Sequence, residues 1–213
     1  LYFFHDKGGD EGYHLFVLNP FTDEGPRDLT PFKGATAELI RGDPSPDTLL
    51  IALNHRDPAY PDAYSLNLAT GKLTQLVKNP SQFTEFFAGG DGKIAAASAI
   101  ESDGTLALHH WDGNAWHKFY SAGPSERMKV LAADTRPGHL IVRTNRDAAR
   151  EELKSLSMKT GVTSTLVPHP CGEFDAEDVI VHERRLVGGS CYQEAATLWV
   201  QALVDFDHRA GKS

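Results

Sequence analysis

The chain has 213 residues, 23% charged and 40% hydrophobic, with a formal net charge of 21 − 29 = −8. An acidic balance whose densest basic patch is Arg184-Arg185 argues against nucleic acid and anionic membranes as partners, because both need clustered Lys and Arg. No apolar run approaches the roughly 18 residues of a membrane-spanning helix, and two cysteines, Cys171 and Cys191, are too few for a disulfide scaffold, so the compartment stays open.

In chain order, the sequence opens inside a strand pattern, Leu1-Tyr2-Phe3-Phe4, without an initiator Met, which reads as a cut end. The polar stretch Asp6-Lys7-Gly8-Gly9-Asp10-Glu11 offers oxygens for a hard cation, but its spacing misses the twelve-residue helix–loop–helix pattern. A hairpin turn accounts for it better.

Four copies of one small turn follow: Asp23-Glu24-Gly25, Ala69-Thr70-Gly71, Trp111-Asp112-Gly113 and Lys159-Thr160-Gly161, with glycines 46, 42 and 48 positions apart. Each lies between two short strand-like runs. A period in this range with four short strands per unit marks a β-propeller blade.

The second unit shows the logic. Thr48 to Leu53 is short, apolar and uninterrupted, as expected of an inner strand covered on both faces. Ala63 to Leu68 alternates with period two, as a half-buried strand does. After the Gly71 turn, Leu73 to Val77 pairs back as an outer strand. The fourth unit repeats the second at an offset of 90. Leu50-Ile51-Ala52-Leu53 matches Leu140-Ile141-Val142-Arg143, Arg56-Asp57 matches Arg146-Asp147, Tyr64 to Gly71 matches Lys154 to Gly161, and Leu76-Val77 matches Leu166-Val167.

In the last unit the expected strands are Arg185 to Ser190 and Thr197 to Leu203. The stretch Gln193 to Leu203 is ambiguous, because its alanines favour helix while the repeat register favours strand. The register is followed here. The blades then span about 1–33, 36–79, 81–122, 125–168 and 170–205, with a polar tail at 206–213.

Several residues carry candidate chemistry. Gly188-Gly189-Ser190-Cys191-Tyr192 nearly spells the nucleophile elbow Gly-x-Ser-x-Gly, but Tyr192 stands where a small residue is needed, and 21 residues remain for the rest of a triad. The adjacent His109-His110 pair points to opposite faces of a strand and does not readily share a metal. Trp111, Trp116, Trp199, Tyr64, Tyr120 and Phe119 read as packing between blades rather than a carbohydrate platform. Arg56-Asp57 and Arg146-Asp147 fall at the ends of corresponding strands, hence on one face of the propeller. They either line a channel mouth and meet charged peptide ends, or form repeated turn-stabilising ion pairs worth about 0–1 kcal/mol. No catalytic, metal or cofactor-binding residue is assigned.

Tyr2 to Phe16, Arg27-Asp28-Leu29-Thr30-Pro31-Phe32, Leu50 to Pro58 with Asp62 to Gly71, and Asp175-Ala176-Glu177-Asp178-Val179 resemble segments of the N-terminal propeller in bacterial prolyl oligopeptidase family serine peptidases of the acylaminoacyl-peptidase and dipeptidyl-aminopeptidase types. The resemblance implies a propeller over an α/β-hydrolase domain that carries the whole Ser, Asp and His triad, with the propeller narrowing access to peptides and small substrates.

The reading is therefore an all-β chain of about five four-stranded propeller blades, open or truncated. It is expected to be the non-catalytic, substrate-gating part of a peptidase acting on peptides, without cofactor. Its expected partners are the hydrolase domain of the parent chain and the peptides passing through. The alternatives are a standalone binding or scaffold propeller of five blades and, more distantly, a lactonase-like propeller with a central metal. A missing neighbour would expose apolar blade surface, so marginal stability or self-association of the isolated chain is expected.

Overall fold

A computed structural model describes residues 1–166, except 7, 10, 41–46, 81 and 124, and the backbone of three strands between residues 175 and 200. All regular elements among the described residues are β-strands, arranged as consecutive antiparallel meanders. The first sheet comprises β1 (Tyr2–His5), β2 (His14–Val17) and β3 (Arg27–Asp28). The second comprises β4 (Ala37–Leu39), β5 (Thr48–Leu53), β6 (Asp62–Asn67) and β7 (Leu73–Val77). The third runs β8 (Glu85–Ala88), β9 (Ile94–Ile100), β10 (Leu106–Trp111) and β11 (Trp116–Ala122). The fourth runs β12 (Met128–Ala133), β13 (His139–Thr144), β14 (Glu152–Ser157) and β15 (Thr163–Thr165). The fifth holds β16 (Asp175–His182), β17 (Arg185–Gln193) and β18 (Ala196–Val200).

Successive sheets stack face to face, and the alternation of strand side chains explains how. On β5, Ile51 and Leu53 face the first sheet, in a core with Leu15, Leu29 and Tyr64. Ala52 faces the other way, in a core with Phe83, Phe86 and Ala97. The run reads as continuously apolar because two neighbours share its two faces. On β9, Ala97 and Ala99 face the second sheet while Ala96 faces the fourth, in a core with Leu108, Tyr120, Leu140 and Leu156. Small residues on β9 are matched by the large Phe83, Phe86 and Tyr120 of its neighbours, which keeps the packing dense.

The first strands of the third, fourth and fifth sheets lie side by side, β8 touching β12 and β12 touching β16, while β8 meets the second sheet at β5. The apolar run Thr48–Leu53 is thus the second strand of its sheet. The first is the three-residue β4, too short to stand out in the sequence. The glycine turns all join the third and fourth strand positions, so β1, β2 and β3 occupy positions two to four of the pattern. Ala196–Val200 is strand, in agreement with the repeat register rather than the alanine composition. The molecule is a run of propeller blades whose ring does not close among the described residues, since the first and fifth sheets share no strand.

The offset of 90 holds down to individual hydrogen bonds. Gly71 N–H donates to Asn67 O and Gly161 N–H to Ser157 O, both at 2.8 Å. Thr70 N–H donates to the Asn67 side chain and Thr160 N–H to that of Ser157. Both glycines are left-handed, at φ 73° and 69°. A Cβ on Gly161 would collide with the Phe119 carbonyl of the preceding sheet, whereas one on Gly71 would meet the flexible end of Arg27 at 3.3 Å.

Candidate functional site

Arg56 lies in the loop joining the second and third strands of the second sheet, and Arg146 in the corresponding loop of the fourth. Both loops are at one end of the sheets. Neither arginine has its sequence neighbour as its hydrogen-bonded ion-pair partner. Arg56 donates from Nε and Nη2 to the two carboxylate oxygens of Asp62, at 2.8 and 2.7 Å, and from Nη2 to Asn79 O at 3.1 Å. Asp57 adds charge to Arg56, and its Oδ1 accepts from the Ala59 amide at 3.0 Å.

Asp62 is fully buried. It also accepts from Tyr64 Oη at 3.3 Å, Gln75 Nε2 at 2.9 Å and the Asn79 amide at 2.8 Å. Burial is the largest influence on this carboxyl and opposes its charge. The bonds from Arg56 and the Asn79 amide outweigh burial, and the pKa sits below 3.8. Burial raises Tyr64, with the Asp62 charge beside it acting the same way. Asn79 binds Pro61 O and Phe83 O through Nδ2, at 2.8 and 2.7 Å, and so ties the second sheet to the connection leading into the third.

Arg146 lies over the Tyr120 ring, 4.7 Å from its centre, and donates to Ser121 O at 3.3 Å and Glu126 Oε2 at 3.4 Å. The other Glu126 oxygen accepts from Tyr120 Oη and, at 3.2 Å, from Thr144 Oγ1. Burial, then the bond to Glu126, pushes Tyr120 up to about 12. Asp147 contributes charge to Arg146 from a left-handed backbone at φ 57°. The reading of these motifs as turn-local Arg–Asp pairs is therefore corrected. Each arginine reaches a carboxylate six or twenty residues away and locks neighbouring segments together.

Other buried polar groups are also engaged. Asp134, 4% exposed, accepts from Ser155 Oγ and from Arg136 Nη2 at 2.9 Å. Lys154, 5% exposed, donates to Arg146 O and lies 3.4 Å from Glu152. The sequence reading missed Asp62, Asn79, Glu126 and Lys154. The signal for the first was available, since an acidic residue recurs at Asp62 and Glu152 at the same offset of 90.

Among the aromatics, Tyr64 and Tyr120 pack between sheets as expected, and Trp116 lies 4.8 Å from Phe83. Trp111 departs from that expectation: it is 39% exposed and pairs with Trp116 at 5.4 Å. His109 and His110 do take opposite faces, His109 beside Phe83 at 5.3 Å and His110 beside His117 at 5.5 Å.

Ser190 lies within β17, opposite Trp199, with the strand continuing to Gln193. It does not sit on the sharp strand-to-helix turn that a nucleophile elbow requires. Its side chain, that of Trp199 and any bond between Cys171 and Cys191 lie outside the described residues. Asp6 to Glu11 joins β1 to β2, with residues 7 and 10 outside the description. Among the described residues no group of three or more His, Cys, Asp or Glu side chains could hold a metal ion, and no helix is long and apolar enough to cross a membrane.

No protein-family model matches the chain. It is 36% identical over 121 residues to dipeptidyl aminopeptidase BIII of Pseudoxanthomonas mexicana, a match covering 56% of this chain and 17% of that protein. Among solved structures it resembles a prolyl endopeptidase, with a TM-score of 0.50 at 12% identity, over 86% of this chain and 28% of the other. It also aligns with oligopeptidase B of Trypanosoma brucei, with a TM-score of 0.48 at 12% identity, over 88% of this chain and 30% of the other. The chain thus spans less than a third of the proteins it matches. Its fold is that of a stretch of β-propeller, and over 121 residues its sequence is similar to that of a dipeptidyl aminopeptidase.

Proposed function

We propose that the chain is the substrate-gating, non-catalytic propeller of a serine peptidase that acts on peptides, working beside an α/β-hydrolase domain that carries the triad. The observation that carries this reading is the 36% identity with a dipeptidyl aminopeptidase over 121 residues. The use of the polar clusters supports it. Asp62, Glu126 and Asp134 are each held by two or more hydrogen bonds that join segments.

In this reading the loops carrying Arg56-Asp57 and Arg146-Asp147 line the channel mouth. The arginine side chains are 32% and 40% exposed and are held by Asp62 and Glu126, so each keeps a fixed position at the surface of its loop.

Two observations test the proposal. The reading frame after Ser213 should encode an α/β pattern containing Gly-x-Ser-x-Gly, and a frame without one returns the chain to a standalone binding propeller. The full enzyme should cleave a dipeptidyl p-nitroanilide rapidly and leave the same dipeptide uncleaved when it is displayed on a folded carrier protein. Equal cleavage of both would refute gating.

A further inference from the structure

We propose that His110 and His117 form a two-histidine binding site for a borderline divalent metal ion, Zn²⁺ or Cu²⁺, on the outer hairpin of the third sheet. The two residues are direct cross-strand partners on β10 and β11. Their rings lie 5.5 Å apart and 33° from parallel. Two imidazoles on one tetrahedral Zn²⁺, with Zn–N of about 2.0–2.1 Å, have ring centres about 5 Å apart. The hairpin therefore holds the pair near the spacing a shared ion needs, before any ion arrives.

The surroundings favour a ligand. His117 Nε2 lies 2.7 Å from Asp112 Oδ2, which leaves Nδ1 as the nitrogen not engaged by that carboxylate; a carboxylate–histidine pair of this kind orients and strengthens an imidazole ligand. Asp112 is itself fixed, its Oδ1 accepting from the amides of Asn114 and Ala115 at 2.7 and 2.8 Å. His110 Nδ1 is buried with no hydrogen-bond partner, so this ring has unspent bonding capacity. Lys118, the cross-strand partner of His109, belongs to the opposite face and is paired with Glu101 at 2.7 Å. Two protein ligands leave the remaining positions to water, so the site suits an exchangeable ion rather than a closed structural one.

Cu²⁺ alone, titrated into the 213-residue chain, tests this by electron paramagnetic resonance and calorimetry. The expected result is one ion per chain, with two imidazole nitrogens in the superhyperfine pattern of the unaltered protein and displacement by excess Zn²⁺. His110→Asn and His117→Asn should each weaken binding by about tenfold or more, and Asp112→Asn by about 10-fold as a supporting partner, while His139→Asn leaves it unchanged. A pattern with one nitrogen, or undiminished affinity in both histidine variants with circular dichroism unaltered, would overturn the assignment.

Discussion

The second and fourth sheets are two renderings of one unit, and they differ in an instructive way. Their backbones coincide: β6 and β14 start and end 90 residues apart, and each hairpin closes with the same left-handed glycine and the same threonine and side-chain bonds. Their polar anchors do not coincide. In the second sheet Arg56 grips Asp62, on the third strand of its own sheet. In the fourth, Arg146 turns to Glu126 and Tyr120, across the gap from the preceding sheet, and Lys154 stands where Tyr64 stood. Repetition preserves what the backbone needs, the glycine conformation and the buried apolar alternation. The charged residues vary because several carboxylates lie within reach of one long arginine.

The largest expected effect contrasts the two glycines. Gly161→Ala should cost about 3 kcal/mol or more, since an alanine in the left-handed region adds to a collision with the rigid Phe119 carbonyl. Gly71→Ala should cost about 1–2 kcal/mol, because the Arg27 side chain can swing away. Urea unfolding of the two variants reads the difference, and equal costs would mean that the hairpins are not docked as described.

Next come the anchors. Asp62→Ala should cost about 3 kcal/mol, as it strands Tyr64, Gln75 and the Asn79 amide without their acceptor. Glu126→Ala should cost about 1–2 kcal/mol, because Arg146 is 40% exposed and water can replace part of the contact. The same urea series separates them, and a Glu126 effect larger than that of Asp62 would reverse the assignment of the stronger lock.

A smaller effect lies in the pH dependence. The Asp62 pKa is lower in the folded state than its ordinary 3.8, so it contributes stability that is present above pH 3.8 and lost as pH falls below it. Asp134 acts in the same sense. Thermal midpoints between pH 2 and pH 5 should therefore fall less steeply in Asp62→Asn than in the unaltered chain, with Asp134, Asp103 and Asp112, all lowered as well, contributing to the remaining slope. Parallel slopes would remove Asp62 from the acid response.

Much of the fold was legible because period and alternation are backbone properties. Thr48–Leu53 and Leu73–Val77 are strands over the residues expected, and β6 is displaced by one residue from Ala63–Leu68. The short β4 was not legible, since three residues carry no period. The polar partners were harder still. Adjacent Arg and Asp suggested a local pair, but the Asp57 oxygen is taken by its own turn, and arginine is long enough to find a better-buried carboxylate. The Trp111–Trp116 and His110–His117 pairs depend on cross-strand register, which becomes visible only once the bulge after Leu108 has set it.

Under the proposed function, this propeller spends its polar groups on holding sheets together and the chemistry belongs to another domain. Hydrolysis of dipeptidyl p-nitroanilides and aryl esters by the purified 213-residue chain tests it most directly. The account predicts no turnover above the buffer rate. Turnover that disappears in Ser190→Ala would contradict it.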